Sequence, residues 1–340
     1  MRQQLITLVL GEVSRKVRGE LFTPPPGKSA PAYIEATAPR QVVVTRKDVL
    51  VAGRTVAFQV RGYPPDVVLI EARIDVETVF DRGLFALEEQ MYHEAYALLD
   101  HLGGKRLYSE EYSVFAVSGY EGAPEQFLQH APVMASLLKS ERFELDPKEV
   151  EHTMQAQIKY AMNDLAIVDW DGAFVFDPEG DFEEDIELLI LANLQLLRHR
   201  ILDRQLDERL ARLADLVHKS VGRKPFRHHD LSGDLRETIE VRMASIAELQ
   251  RLERDIKLIG DWYRARFFDL AASKFRLDDW RASIQGKLES LEDIYSVVVE
   301  NFSVSTKHRA EWIQIIAFFI LQAGWFLLII LEFLYFTREP

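Results

Sequence analysis

AIVDWDGAFVFDPEGDFEED, residues 166–185, is where the chain changes character. Its first half reads as two short apolar strands, Ala166–Trp170 and Ala173–Phe176. Asp171-Gly172 joins them, a dipeptide suited to the positive φ angles of a tight hairpin turn. Asp177-Pro178-Glu179-Gly180 then ends the strand signals, and a long helical pattern, Asp181–Lys219, begins. Acidic residues (Asp181, Glu183, Glu184, Asp185) crowd its first turns, where the helix dipole favours negative charge. Strands before this point and helices after it define an α+β chain rather than an alternating α/β one.

Upstream, Gln41–Thr45 and Thr55–Val60 are β-rich, and Asp66–Val76 runs apolar in the way of a buried strand. Glu77–Leu102 has helical composition and stops at Gly103-Gly104. Tyr112–Val117 predicts a strand, Pro124–Lys139 a helix and Ile158–Met162 a strand. The expectation is a two-layer α+β domain over 40–180, with helices on one sheet face. A ferredoxin-like arrangement is one solution, and strand order stays open. Before it, Leu5–Leu10 is a short apolar run resembling a stunted signal peptide. Glu12, Arg15 and Lys16 interrupt it, and no small-residue cleavage site follows. Residues 1–39 therefore read as an amphipathic segment leading to a linker at Pro24-Pro25-Pro26-Gly27.

Downstream, residues 181–311 predict a long-helix bundle or coiled-coil hairpin. One stripe carries Leu202, Leu206, Leu210, Leu213 and Val217. A second runs from Leu235 to Leu270 with a mean step of about 3.5, the period of coiled-coil packing. A third holds Ile284, Leu288, Leu291, Tyr295, Val298 and Phe302. Intramolecular packing is the ordinary use of such stripes; a homo-oligomer is the alternative.

Residues 312–336 read as a transmembrane helix, with 337–340 as a tail. Ile313–Leu331 carries no charge, and about 20 apolar residues at 1.5 Å per residue match the roughly 30 Å hydrocarbon layer. Trp312, Trp325 and Tyr335 suit the interfacial zone. Gln314 and Gln322 lie close to one face and need a partner in lipid. Glu332 can reach the interface. Lys307 and Arg309 precede the span and Arg338 follows it, which places the bulk of the chain in the cytoplasm or its organellar equivalent. The expectation is a tail-anchored, single-span protein whose first partner is the lipid bilayer.

Composition removes several function classes. A net charge of −13 argues against general nucleic-acid binding, which needs clustered Lys and Arg, and against peripheral attachment to anionic lipid. Zero cysteines exclude disulfides, thiolate metal sites and a cysteine nucleophile. Gly27-Lys28-Ser29 lacks the earlier glycine of a phosphate loop, since position 22 is Phe. His228-His229-Asp230 is the only histidine pair and has no second ligand at metal spacing. Asp169, Asp171 and Asp181, in the densest acidic run, are the weak metal or acid/base candidates. Acids in a turn and at a helix start are more commonly local capping groups. No cofactor is implied.

The carboxyl-terminal third resembles the YagE / "required for meiotic nuclear division" family of uncharacterised membrane proteins. The resemblance rests on Lys287-Leu288-Glu289-Ser290-Leu291, on Lys307 through Ile313 with its Glu311-Trp312-Ile313 opening the span, and on Ile329-Ile330-Leu331-Glu332. Asp207-Glu208-Arg209-Leu210 is loosely similar to the family's helical section, and Val67–Ile74 stands in for its apolar strand. It implies a membrane-held scaffold facing the cytoplasm or mitochondrial matrix, in some members associated with organellar translation. It brings no catalytic residues.

Two functions fit these readings. The first is a tail-anchored, non-enzymatic scaffold or adaptor presenting the α+β domain to a protein partner. The second is a membrane-bound metal-dependent hydrolase or ligand sensor using Asp169–Asp181.

Overall fold

The middle of the fold is the run Leu5–Leu10. In the computed structural model, which describes residues 1–22, 40–221, 243, 246–247 and 262–336, Arg2–Val13 forms strand β1. The other strands are β2 (Glu20–Phe22), β3 (Gln41–Val51), β4 (Arg54–Tyr63), β5 (Val67–Val76), β6 (Gly104–Ser118), β7 (Gln157–Ile158), β8 (Leu165–Val168) and β9 (Gly172–Phe176). They form one sheet in the order β2-β3-β4-β5-β1-β6-β9-β8-β7. β1 lies between β5 and β6, antiparallel to both. The amphipathic-segment reading of residues 1–39 fails here for a physical reason. Leu5, Ile6, Leu8, Val9 and Leu10 are fully buried on alternate faces. A strand covered on both sides loses the alternation that marks a half-exposed one.

Helices cover both faces. One core holds Leu5, Val9, Phe115 and Phe174 against α1 (Leu84–His101) and α2 (Ala131–Leu138). The other holds Ile6, Leu8, Leu10, Val114 and Val175 against α4 (Glu183–Val221) and α5 (Trp262–Lys274); α3 (Pro147–Met154) precedes β7. The class is α+β, and the nine-stranded order replaces the ferredoxin-like option. The second helical layer comes from the segment read as a separate bundle. Residues 186–197 are buried almost all round (Ile186, Leu189, Ile190, Ala192, Leu196, Leu197), the mark of a helix sunk in a core.

Several boundaries differ from the sequence reading. α1 starts at Leu84, after a turn in which the Gly83 N–H donates to Asp81 Oδ1 at 3.0 Å. Pro124–Lys139 is a 3-10 turn (Pro124–His130) followed by α2, and the Ile158–Met162 strand shrinks to Gln157–Ile158. The β8–β9 hairpin is present, but neither Asp171 nor Gly172 adopts a positive φ. Glycine is needed at 172 because a Cβ there would lie 2.9 Å from the Ser113 carbonyl of neighbouring β6.

The chain forms two compact units, Met1–Leu206 with Met243–Gln285, and Asp207–Arg242 with Gly286–Pro340. The first holds the sheet and its layers. The described stripe residues Leu202, Leu206, Leu213, Ile284, Leu288 and Leu291 are buried within the chain, so they are used in intramolecular packing. In the second unit Lys287 pairs with Asp207 at 2.7 Å. Helix α6 runs Leu277–Phe336, beginning after a break at Arg276, whose φ is +51°. Trp312–Leu331 is long and apolar enough to cross a membrane, and it is unburied throughout. Trp312, Gln314, Gln322 and Trp325 are exposed along it. Gly27-Lys28-Ser29, His228-His229-Asp230 and most of the Leu235–Leu270 stripe lie outside the described residues. So do the side chains of Lys307, Arg309, Glu332 and Tyr335.

Candidate functional site: a cleft at the carboxyl end of the parallel pair

Among the described residues, β6 and β9 are the only neighbouring strands that run parallel. After β6 the chain leaves toward the α1–α2 face; after β9 it leaves toward the α4 face. Adjacent parallel strands whose connections go to opposite faces leave a crevice at their carboxyl ends, the usual ligand position in open sheets. An open cleft of about 650 Å³ lies there. Ser118 and Gly119 follow β6 on one side, and Pro178, Glu179, Gly180, Phe182 and Glu183 lead into α4 on the other. Arg2 and Gln4 of β1, with Arg73 and Asp75 of β5, form the rest.

Register explains this composition. Arg2 pairs with Ser118 and Gln4 with Asp75. Along β1 the α4 face carries Arg2 and Gln4 before Ile6, Leu8 and Leu10, so the apolar core gives way to a polar rim. Gly119 (φ +66°) and Gly180 (φ +79°) make the two turns, and the Gly119 N–H donates to the Pro178 carbonyl at 3.0 Å. Asp177 shapes the second loop by accepting from the N–H groups of Glu179 (2.7 Å) and Asp181 (3.2 Å).

The cleft continues into a buried ionic chain. Arg73 donates from Nε to Glu71 Oε1 at 2.6 Å and from Nη2 to Glu183 Oε2 at 2.9 Å. That hydrogen bonding holds the Glu183 carboxyl below its ordinary range. Glu71 in turn accepts from Arg61 Nη2 at 2.8 Å. Arg61, about 2% exposed, also reaches Gln41 (3.0 Å) and Glu187, and its guanidinium lies 4.9 Å from the Phe22 ring centroid. Strands β3, β4 and β5 are thereby tied to the first two turns of α4.

The three acidic candidates do not converge, since Asp169 and Asp171 lie at the far end of β9 and Asp181 stands between the cleft residues Gly180 and Phe182. Asp169 is buried at the other end of β9, between Lys139 (3.2 Å) and Lys274 (3.4 Å). It ties the end of α2 and the last turn of α5 to the hairpin. Asp171 is pushed up to about 6, by burial first and then by Glu111 and Asp169. Asp181 follows Gly180, beyond the opposite end of β9. Among the described residues no group of three or more His, Asp or Glu could hold a metal ion. The weak metal set Asp169, Asp171 and Asp181 is therefore not assembled. Two ammonium groups already neutralise its most buried member.

Near Asp171, Glu88 of α1 is buried beside Ser113, whose hydroxyl is 2.7 Å from that of Tyr92. Burial first, then Glu111 and Asp171, raise the Glu88 carboxyl to about 7, against the lowering effect of Ser113. A carboxyl whose folded pKa is raised stabilises the fold fully at acid pH and loses that contribution as pH rises through about 7. Glu88→Gln should therefore raise the urea midpoint of the full chain at pH 8 and leave it little changed at pH 4. A loss at pH 8 would mean that the ionised carboxylate has a stabilising partner.

The fold and site define an α+β protein with a switch-point cleft and, among the described residues, a single helical segment, Trp312–Leu331, long and apolar enough to cross a membrane. The chain belongs to the family described as the N-terminal domain of uncharacterized protein MJ0711, whose profile matches residues 4–183. That match includes every cleft residue except Arg2. The chain is similar to the uncharacterized protein MJ0711 of Methanocaldococcus jannaschii, at 26% identity over 221 residues. The aligned part is 65% of this chain and 66%, just under two thirds, of that relative. No solved structure matches. Sequence reasoning missed Arg2, Gln4, Arg73, Asp75 and Ser118. The available signal was charged or polar residues in otherwise apolar strands: Arg73 and Asp75 in Val67–Val76, and Arg2 and Gln4 ahead of Leu5.

Proposed function

We propose that the protein is a single-span, membrane-anchored adaptor that presents its α+β unit to a protein partner, without catalysis of its own. The observation that carries this reading is the wholly exposed apolar segment Trp312–Leu331. An apolar surface that large is costly in water and favoured in lipid. Lys307 and Arg309 before the span, against Arg338 after it, support a cytoplasmic or organellar-matrix position for residues 1–306. The resemblance of the carboxyl-terminal third to the YagE / "required for meiotic nuclear division" family supports the same placement. Crosslinking in native membranes through residues 1–180 should recover one reproducible partner, with those residues accessible to protease only from the cytoplasmic or matrix side. Recovery of no partner, or protection on that side, would sink the reading.

A second reading is a membrane-held ligand sensor, with the site moved from Asp169–Asp181 to the switch-point cleft. Its volume and its polar lining favour it.

A further inference from the structure

Resting on the second reading, we infer that the cleft takes a small ligand bearing an oxyanion, phosphate or carboxylate, on Arg2, Arg73 and Ser118. Binding then displaces Glu183 from Arg73. The donor inventory carries this. Arg73 directs Nε and Nη2 at Glu71 and both terminal amines at Glu183, which leaves the second N–H of Nη1. Arg2 gives Nε and Nη2 to Asp75, at 3.0 and 3.3 Å, which leaves Nη1 outside that pair. Ser118 sits beside Arg2 in register, and its hydroxyl has no hydrogen-bond partner among the described residues.

The acceptors are already engaged. Asp75 accepts from both Arg2 and Gln4 (2.7 Å), and Glu183 accepts from Arg73. Glu179, the remaining carboxylate of the lining, also has a partner. A cation would have to break these pairs to find any acceptor, whereas an oxyanion meets the unused donors of Arg2 and Ser118 and exchanges one carboxylate, Glu183, for itself on Arg73. Planar guanidinium groups bind phosphate and carboxylate bidentately, and such charge-assisted bonds are about twice as strong as neutral ones.

The two guanidiniums differ in the consequence of binding. Arg2 is held by an exposed pair and can reorient freely, with side chains about 65% and 61% exposed. Arg73 is fixed from behind by Glu71, so it presents its outer edge to the cleft while Glu183 competes for that edge. A bound oxyanion takes the place of Glu183, a residue of the first turn of α4. Ligand occupancy is thus read out at the amino end of that helix.

The test uses the full chain in detergent micelles, with thermal unfolding followed at constant ionic strength. Inorganic phosphate, citrate and a water-soluble short-chain phosphatidate are the probes, and chloride is the control. A ligand that binds the native state raises the midpoint with concentration. At least one probe should do so where chloride does not, and phosphate against phosphatidate separates a free anion from a lipid headgroup. Arg2→Gln should weaken the apparent affinity roughly five- to tenfold and Ser118→Ala roughly two- to fivefold. Glu183→Gln should tighten it, because the competing carboxylate is gone. Shifts equal to those of chloride, or unchanged in all three variants, would overturn the inference. Spermidine or a neutral sugar protecting residues 118–119 and 178–183 from hydrogen exchange, where the anions do not, would overturn the oxyanion class and keep the ligand cleft. Protection by none of the probes would remove both.

Discussion

Arg61→Met should destabilise the α+β unit by about 3–5 kcal/mol, the usual cost of removing one partner from a buried ion pair. The side chains of Arg61 and Glu71 are about 2% and 6% exposed, so water cannot replace the lost guanidinium. Glu71 would keep Arg73, but Glu187 and Gln41 would lose their shared donor. The informative comparison is the double variant Arg61→Met, Glu71→Met. Replacing both charges by apolar groups of similar volume is often neutral, because the desolvation cost goes with the attraction. Denaturant unfolding of the full chain should show the single variant far below wild type and the double variant recovering most of the loss. If the single variant matches wild type, α4 is not held on the sheet by this chain of charges. Hydrogen exchange adds the location: protection should fall first in residues 183–190, where Glu183 and Glu187 dock.

The second large effect concerns the span. Leu321→Arg with Leu328→Arg places one charge at the middle of Trp312–Leu331 and a second about two turns further along. A charge at the centre of an inserted helix costs about 2.5–3.5 kcal/mol, and the second, nearer the end, adds a smaller cost, so together they weaken insertion strongly. The doubly substituted protein should move from the alkali-resistant membrane fraction to the soluble or aggregated fraction. The folded α+β unit should stay intact, since neither leucine is buried within the chain. Leu321→Ala with Leu328→Ala should stay in the membrane. Membrane retention of the arginine variant would show that another surface holds the protein to lipid.

Local patterns were readable where one sequence signal determined one element. The β8–β9 hairpin and the start of α4, within two residues of Asp181, came from turn dipeptides and an acidic first turn. β1 was not readable, because an apolar run buried on both faces has no period to distinguish it from a hydrophobic leader. The glycine at 172 was identified as a turn residue but for the wrong cause. The constraint comes from the Ser113 carbonyl, 59 positions earlier, and no local motif encodes that distance. The cleft was hidden for the same reason. Its parts run from Arg2 to Glu183, and only strand register sets Arg2 beside Ser118 or Gln4 opposite Asp75. Acidic clustering drew attention to Asp169–Asp181. The length of β9 separates Asp169 and Asp171 from Asp181, and Asp169 is bound by two lysines, Lys139 at the end of α2 and Lys274 of α5.

The place of β1 sets an order of events during synthesis. Of the described strands, β1 is made before the others and lies in the middle of the sheet, and its neighbours are β5, at 67–76, and β6, at 104–118. Arg2 finds Ser118 only after more than a hundred further residues have been made. Until β5 is made the apolar strand has neither neighbour, and until β6 is made one of its edges stays open, the kind of edge that recruits other strands or a chaperone. Closing so long a loop is slow compared with local hairpins such as β3–β4. An open central edge is therefore present over the whole interval between the synthesis of β1 and that of β6.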